Sequence, residues 1–250
     1  MKQHEAVIRV MDENGGFATL GFLYQNVLRV PGCSWGTKTP FATIRRIVQD
    51  PRFFFKIRPG LWALNSARDS LPPEVFTRRK QSKTEQVEYS HTYYQGLLVE
   101  LGNLERFGTF VPNQDKNRLY LGKRLSEITT MGDMREFTYD RLVRVARTID
   151  VAWFNDRDMP ASLLEVEHST SISNSLLKFA ELQDFNSDFR IVADAARERE
   201  FRDKLGLGTF KQVSKRVEFW SYDDVAELHS RRSALAGIES KLGLSGSGEK

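Results

Sequence analysis

Three acidic residues interrupt two apolar segments of the sequence, and carboxylates in such places can hold metal ions. Glu165 and Glu167 lie in "SLLEVE", whose other residues are typical of a buried strand. Successive strand residues point to opposite faces, so the two glutamates leave the same face. Asp150 lies in "TIDVAWF", a second apolar strand. One acid at a strand end is usually just exposed to solvent, but three acids on paired strands favour a function.

The turn "NDRDMP" joins these two segments and predicts a hairpin. In a hairpin, Asp150 and Glu165 lie on neighbouring strands near the same end. Two carboxylates held close together repel, and burial makes the ionisation of both costlier. A divalent cation removes this conflict, since Mg²⁺ is bound by one or two carboxylates, backbone carbonyls such as that of Val166, and water. Such an ion can activate water and neutralise charge on a phosphate.

Composition limits the other kinds of site and the location. The single cysteine, Cys33, excludes an intramolecular disulfide and a cysteine-based zinc site, and four scattered histidines argue against a structural transition-metal site. There is no apolar run of transmembrane length and no signal-peptide pattern at the N-terminus. We therefore expect a cytoplasmic protein without a membrane partner.

Charge is distributed unevenly along the chain. Residues 1–66 hold nine Lys and Arg against four Asp and Glu, residues 67–90 hold five against four, and the remainder holds 23 against 25. A basic first part indicates that it faces a polyanion, while the second part concentrates carboxylates. Chance clustering on a solvated surface is the alternative interpretation.

Composition and periodicity predict two domains. Residues 67–90, with a Pro-Pro pair and little apolar periodicity, are predicted as a linker, and residues 241–250 as a flexible tail. Residues 1–66 read as three helices followed by the hairpin of "RFFFKI" and "LWALN", which describes a winged helix-turn-helix. Residues 91–240 read as helix, strands, helix, strand, helix and strand, which predicts a mixed α/β sheet covered on both faces.

The third helix of the first domain is the element that would enter the DNA major groove. Thr39 is expected to cap this helix and Pro40 to occupy its first turn. Thr43 and Arg46 are expected to point away from the apolar stripe of the helix. The expected DNA-contacting residues are Lys38, Thr39, Thr43, Arg45, Arg46, Lys56 and Arg58. Exposed arginines are common on any helix, but here the element pattern and the local charge agree.

Residues 2–65 resemble the HARE-HTH family, winged helices fused to restriction endonucleases and found in chromatin proteins. The resemblance is carried by the opening helix, the "W-G" turn at Trp35 and Gly36, and the closing "GLWAL". It consists mostly of core spacing, and it implies DNA binding.

Residues 91–230 resemble the PD-(D/E)XK nuclease superfamily, the fold of most type II restriction endonucleases. Asp150, Glu165 and the intervening Val166 match its pattern of an Asp on one strand and an acid-x-Lys on the next. Glu100, on the helix before the sheet, matches an acidic position that many members use to support the metal. The resemblance thus implies catalytic residues Asp150, Glu165, Glu167 and Glu100, with Mg²⁺ as cofactor and Mn²⁺ as its substitute.

The chain departs from this pattern at Glu167, where the family usually has lysine. In a minority of restriction enzymes a glutamate at this position orients water or binds a second metal ion; a degraded site is the alternative. Lys178, on the following helix, is expected either to supply the missing ammonium beside DNA or to be a solvated helix lysine.

The resulting first hypothesis is a Mg²⁺-dependent endodeoxyribonuclease that cuts duplex DNA at specific sites. Cutting both strands usually needs two active sites, so a homodimer is expected, and a restriction system would add a cognate DNA methyltransferase. The second hypothesis is a DNA-binding regulator or adaptor whose nuclease-like domain only dimerises or docks partners. A third keeps the nuclease but changes its substrate to modified or branched DNA.

Overall fold

The structure, a computed structural model, describes residues 1–76 and 82–244. The chain divides into two compact units, Met1–Arg78 with Ala226–Lys250, called unit 1, and Arg79–Val225, called unit 2. The predicted combination of helices and mixed sheets is confirmed. The basic cluster of the predicted linker, residues 77–81, and residues 245–250 of the predicted tail lie outside the described part.

Unit 1 combines short helices with a small antiparallel sheet whose strand order is β1-β3-β2. Its elements are α1 (Gln3–Glu13), β1 (Phe17–Thr19), α2 (Leu20–Asn26), α3 (Pro40–Ile47), β2 (Phe54–Arg58) and β3 (Leu61–Leu64). Apolar residues at helical spacing meet in one core, which includes Val7, Met11, Leu23, Val27, Ile44, Val48, Phe54 and Leu64. Gly60, with a φ of 76°, allows the tight turn between β2 and β3.

Unit 2 is built on a five-stranded mixed sheet of strand order β10-β9-β8-β7-β4. Its strands are β4 (Gly108–Phe110), β7 (Val151–Phe154), β8 (Pro160–Glu167), β9 (Asp188–Ala193) and β10 (Val217–Ser221), and a separate hairpin contains β5 (Leu119–Tyr120) and β6 (Lys123–Arg124). The pairs β4–β7 and β7–β8 are antiparallel, whereas β8–β9 and β9–β10 are parallel. Parallel neighbours need crossover connections, and helices supply them here.

Helices lie against both faces of this sheet, among them α4 (Lys83–Leu104), α6 (Asp140–Ala146), α7 (Ile172–Glu181) and α8 (Glu198–Leu205). Unit 2 also contains α5 (Leu125–Ile128), and α9 (Tyr222–Lys241) begins in it. On one face, the indole N–H of Trp153 in β7 donates to the Leu98 carbonyl of α4 at 3.1 Å. The alternate residues Ala152 and Phe154 pack into the core that contains Phe179 of α7. The β7 strand is thus buried on both sides, which explains its continuous apolar sequence.

Two details differ from the predicted domain boundaries. α4 begins at Lys83, inside the segment 67–90, because Ser82 caps it: the Ser82 hydroxyl accepts the Glu85 N–H at 3.2 Å, and the Glu85 carboxylate accepts the Ser82 N–H at 2.9 Å. All of α9 from Ala226 onward belongs to unit 1, and only its first turn belongs to unit 2. The predicted helix cap at Thr39 is also not formed: Thr39 directly precedes α3, but its side chain makes no capping hydrogen bond.

Candidate active site

The β7–β8 hairpin brings the predicted acids to one end of the sheet. Val151 of β7 pairs with Leu164 of β8. Asp150 and Glu165 are the next residues beyond this pair, one on each side of the hairpin. Asp150 was expected within the strand but lies just before it, where the pairing ends. Its side chain is therefore free to turn towards β8, and its Oδ2 accepts the backbone N–H of Val166 at 2.8 Å.

Glu165 and Glu167 point to the same buried face of β8. Each residue is only 3% exposed, and the hydroxyl of Ser175 on α7 lies within hydrogen-bond distance of both carboxyl groups. Thr170 donates a second hydroxyl hydrogen bond to Glu167. Buried carboxyl groups need hydrogen-bond partners, and these two share the hydroxyl of Ser175 on the neighbouring helix α7.

Lys178, one turn further along α7, reaches the same cluster. Its ammonium lies 2.9 Å and 3.0 Å from the two oxygens of Glu165 and also donates to the Thr148 carbonyl at 2.9 Å. Burial, and then the negative charge of Asp150, raise the pKa of Glu165 to about 8, although Lys178 and Ser175 act in the opposite direction. The ammonium thus stands beside the second acid of the motif without occupying the position of Glu167.

Helix α4 contacts Asp150 from the other side. The Nε2 atom of His91 lies 3.1 Å from Asp150 Oδ2, and the amide of Gln95, one turn later, donates to the Asp150 carbonyl at 3.2 Å and to Asp115 at 2.8 Å. Burial lowers the pKa of His91, but the hydrogen bond and charge of Asp150 outweigh burial, so this pKa is raised. His91 and Asp150 line an open cleft of about 350 Å³.

The hydrogen bond described for Glu100 is made to a residue outside this cluster. Its carboxylate accepts the Tyr120 hydroxyl at 3.0 Å. On α4 it lies nine residues beyond His91, about 13 Å along the helix axis at 1.5 Å per residue. The α4 side chains that contact Asp150 or Asp115 are His91 and Gln95, because they lie at the end of α4 that faces Asp150.

The predicted DNA-contacting residues of unit 1 have unequal positions. Lys38, Thr39, Arg46 and Lys56 are exposed, and Arg58 is half-buried. Thr43 was expected to point away from the apolar stripe of α3, and this expectation is wrong. The residue is only 9% exposed, and its hydroxyl donates to the Thr39 carbonyl at 3.2 Å. It lies four residues before Ile47 and next to Ile44, and so falls within the apolar stripe of α3.

Arg45 is exposed but has an ionic partner within unit 1. Its guanidinium lies 2.8 Å from the Glu227 carboxylate on α9, which also pairs with Arg231. The same electrostatic contacts, led by the Arg231 hydrogen bond, lower the pKa of Glu227. Arg45 can therefore reach a phosphate only by exchanging one anionic partner for another.

The donor set beside Asp150 fits a hard divalent cation. Within residues 1–76 and 82–244, no three His, Cys, Asp or Glu side chains form a ready metal-binding group. Mg²⁺ needs only one or two carboxylates, because water completes its coordination. Asp150 is close enough to raise the pKa of Glu165, and no described hydrogen bond involves Asp150 Oδ1. Two adjacent carboxylates with an oxygen to spare match the predicted ligands.

Sequence reasoning missed three side chains of this cluster: His91, Gln95 and Ser175. Only the spacing of His91 and Gln95, four residues apart and thus on one face of α4, was visible as a signal. Ser175 had no such signal, since an isolated serine on an amphipathic helix is ordinary.

In the part of the chain that the structure describes, no helix combines the length and the apolar character of a membrane span.

Comparison with known proteins locates this cluster within a matched region. The family described as the type II restriction enzyme NmeDI C-terminal domain matches residues 70–242. The type II restriction enzyme NmeDI of Neisseria meningitidis serogroup C is 26% identical over 155 residues, which cover 58% of this chain and 43% of that enzyme. The match thus spans less than half of that relative's length. No solved structure matches.

Proposed function

Because the chain belongs to the family of the type II restriction enzyme NmeDI C-terminal domain, we propose that it is a divalent-metal-dependent endonuclease that cleaves duplex DNA at specific sites. The observation that carries this proposal is the pair of adjoining carboxylates, Asp150 and Glu165, with the Lys178 ammonium 2.9 Å from Glu165. Burying two carboxylates and an ammonium side by side costs free energy, and clusters of this kind occur mainly at functional sites.

Asp150, Glu165 and the Val166 carbonyl are the proposed ligands of Mg²⁺, for which Mn²⁺ can substitute. The cation would supply an activated water and offset the charge that develops on the scissile phosphate. The protein's own contribution is to hold the Glu165 carboxyl in place, through the Ser175 hydroxyl and the Lys178 ammonium. Because burial and the charge of Asp150 raise the pKa of Glu165 to about 8, the bound cation would favour the ionised form of Glu165.

Glu167 receives a supporting role in this proposal. It was predicted to position the attacking water, but one of its oxygens accepts the Ser175 hydroxyl and the other accepts the Thr170 hydroxyl. A carboxylate engaged in this way fixes the loop after β8 and holds Ser175 against Glu165. Lys178 then provides the positive charge that the PD-(D/E)XK superfamily usually places at the position of Glu167, and it would stabilise the departing or attacking oxygen.

Unit 1 is proposed to be a winged helix that adds DNA affinity. Three helices followed by the β2–β3 hairpin, with β1 closing the small sheet, fit that arrangement. Arg46 and Lys38 on and before α3, with Lys56 and Arg58 on β2, would contact the DNA. Because duplex cleavage uses one active site per strand, a homodimer is part of the proposal, as is a cognate methyltransferase in the same system.

The test is cleavage of a supercoiled plasmid by the full chain with Mg²⁺, with Mn²⁺ and with EDTA. We expect Asp150→Ala and Glu165→Ala to lower the cleavage rate at least about 100-fold, and EDTA to abolish cleavage. The matched controls are Asp156→Ala and Glu181→Ala, which remove exposed acids of the same types from unit 2. Full activity in both site variants would reject this assignment of the active site.

The two other hypotheses give different outcomes in the same assay. Tight, salt-sensitive DNA binding with no cleavage under any divalent ion would support the regulator or adaptor. A nuclease for modified or branched DNA would cut methylated or branched substrates and leave the plain plasmid intact. Assaying plain, methylated and branched DNA side by side therefore separates the three.

A further inference from the structure

Asp150 Oδ2 has two hydrogen-bond partners among the described residues. It receives the Val166 backbone N–H at 2.8 Å and lies 3.1 Å from His91 Nε2. A carboxylate oxygen offers about two lone-pair positions. With two donors on Oδ2, that oxygen is filled, and Oδ1 remains for another ligand.

The imidazole of His91 must act as a donor in this contact, since an ionised carboxylate can only accept. Its second nitrogen, Nδ1, is buried, and no hydrogen-bond partner for it exists among the described residues. A buried nitrogen without a hydrogen-bond partner lowers the stability of the fold, so packing alone does not account for a histidine here. Its contact with Asp150 is what distinguishes it from an apolar residue at this position.

Gln95 shows that α4 is built to hold Asp150. It is fully buried, lies one turn after His91, and donates to the main-chain carbonyl of Asp150 and to the buried Asp115. Arg118 pairs with Asp115 at 3.1 Å and so closes the network behind Gln95. Helix α4 thus fixes both the backbone and the side chain of Asp150.

We propose that His91 is a positioning residue for the metal site: it occupies Asp150 Oδ2 so that Oδ1 is the oxygen available to the divalent cation. This inference rests on the proposed function, because it takes Asp150 as a metal ligand. His91 would act through its contact with Asp150 and would not touch the cation. Groups that orient metal ligands in this way typically change metal affinity by roughly 10- to 100-fold when they are removed.

The experiment measures Mn²⁺ binding to the full chain by electron paramagnetic resonance, without DNA. We expect His91→Leu, which keeps the volume but removes the donor, to weaken Mn²⁺ binding roughly 10- to 100-fold. His91→Gln keeps an N–H donor and is expected to stay within about threefold of the wild type, the range of a retained hydrogen bond. His4→Gln removes a histidine from unit 1 and controls for unspecific Mn²⁺ binding.

The wild-type protein provides a second readout that does not depend on a variant's folding. Electron spin echo spectra of bound Mn²⁺ should lack the strong nitrogen coupling of a ligated imidazole, since Nε2 is engaged with Asp150. A strong coupling that disappears in His91→Gln would make His91 a direct ligand and overturn the inference. Equal Mn²⁺ affinity in the wild type and His91→Leu would overturn it too.

Asp150→Asn separates this inference from the proposed function. If Asp150→Asn leaves Mn²⁺ affinity unchanged, the proposed metal site is wrong, whatever His91 does. If Asp150→Asn abolishes binding while His91→Leu does not change it, the metal site stands and only the role of His91 fails.

Discussion

The two groups of predicted functional residues differ in how the fold holds them. In unit 2, Glu165 and Glu167 are each 3% exposed and share the Ser175 hydroxyl, and Glu165 also pairs with the Lys178 ammonium. In unit 1, the cations Lys38 and Arg46 are exposed. Buried charge is costly and must be balanced by specific partners, whereas exposed charge costs almost nothing. Single substitutions should therefore have large effects in the first group and small, additive effects in the second.

The strongest test of this contrast is Lys178→Met. The substitution leaves Glu165 buried without its ammonium partner, and it removes the one side-chain positive charge that we propose to act, together with the metal, at the reacting phosphate. We expect the cleavage rate to fall by about 100- to 1,000-fold and DNA affinity to stay nearly unchanged. Plasmid cleavage and fluorescence anisotropy of a duplex in Ca²⁺ measure the two quantities.

Lys204→Met, on the exposed surface of α8, is the matched control and should cleave like the wild type. If Lys178→Met lowers the thermal stability but cleaves normally at saturating Mg²⁺, then Lys178 is only a structural partner of Glu165. The charge at the reacting phosphate would then have to come from the metal alone.

The difference between the two groups also explains what could be predicted from sequence. Asp150 and Glu165 were recognisable because acids stand out in apolar strands, and a short turn fixed which strands pair. The burial of Thr43 was also readable, since it shares a stripe with Ile47, and the start of α4 was readable in "SKTE" as a capping box.

The partners of the acids were not readable in the same way. Which polar residue of α4 meets Asp150 depends on where the helix packs along the sheet, and this is a tertiary property. The resemblance to the PD-(D/E)XK superfamily implied an acid on this helix, but the structure places Glu100 against Tyr120 and His91 against Asp150. Likewise, nothing local marks Glu227 as the partner of Arg45, 182 residues away.

A smaller effect should appear in the pH dependence of the metal-free protein. The pKa of Glu165 is raised to about 8, from an ordinary value of 4.5. Between these values the folded chain holds a proton that the unfolded chain releases, so the free energy of unfolding falls as pH rises. For one proton the slope approaches about 1.4 kcal/mol per pH unit.

Urea unfolding in EDTA at several pH values between 5 and 8 measures this slope. Glu165→Gln should remove its contribution and flatten the curve relative to the wild type, while Glu181→Gln, on the exposed side of α7, should not. Mg²⁺ should restore stability most at pH 8, since it binds the ionised carboxylate. Parallel curves for the wild type and Glu165→Gln would show that this carboxyl has an ordinary pKa.

The smallest effects are expected in unit 1, and they rank two neighbouring arginines of α3. Arg46→Ala should weaken duplex binding by about 1 kcal/mol, roughly fivefold, and reduce the slope of log K against log salt by about 1, as for one lost phosphate contact. Arg45→Ala should cost less, because the Arg45 guanidinium already pairs with Glu227 at 2.8 Å. Glu227→Gln should increase affinity slightly, since it frees Arg45 for the DNA.

Arg9→Ala, which removes an exposed arginine of α1, is the control. Anisotropy titrations in EDTA at several salt concentrations measure all four. If Arg45→Ala proves the more damaging variant, Glu227 does not compete with DNA but holds Arg45 ready for it, and unit 1 would then rely on a fixed ion pair as unit 2 does.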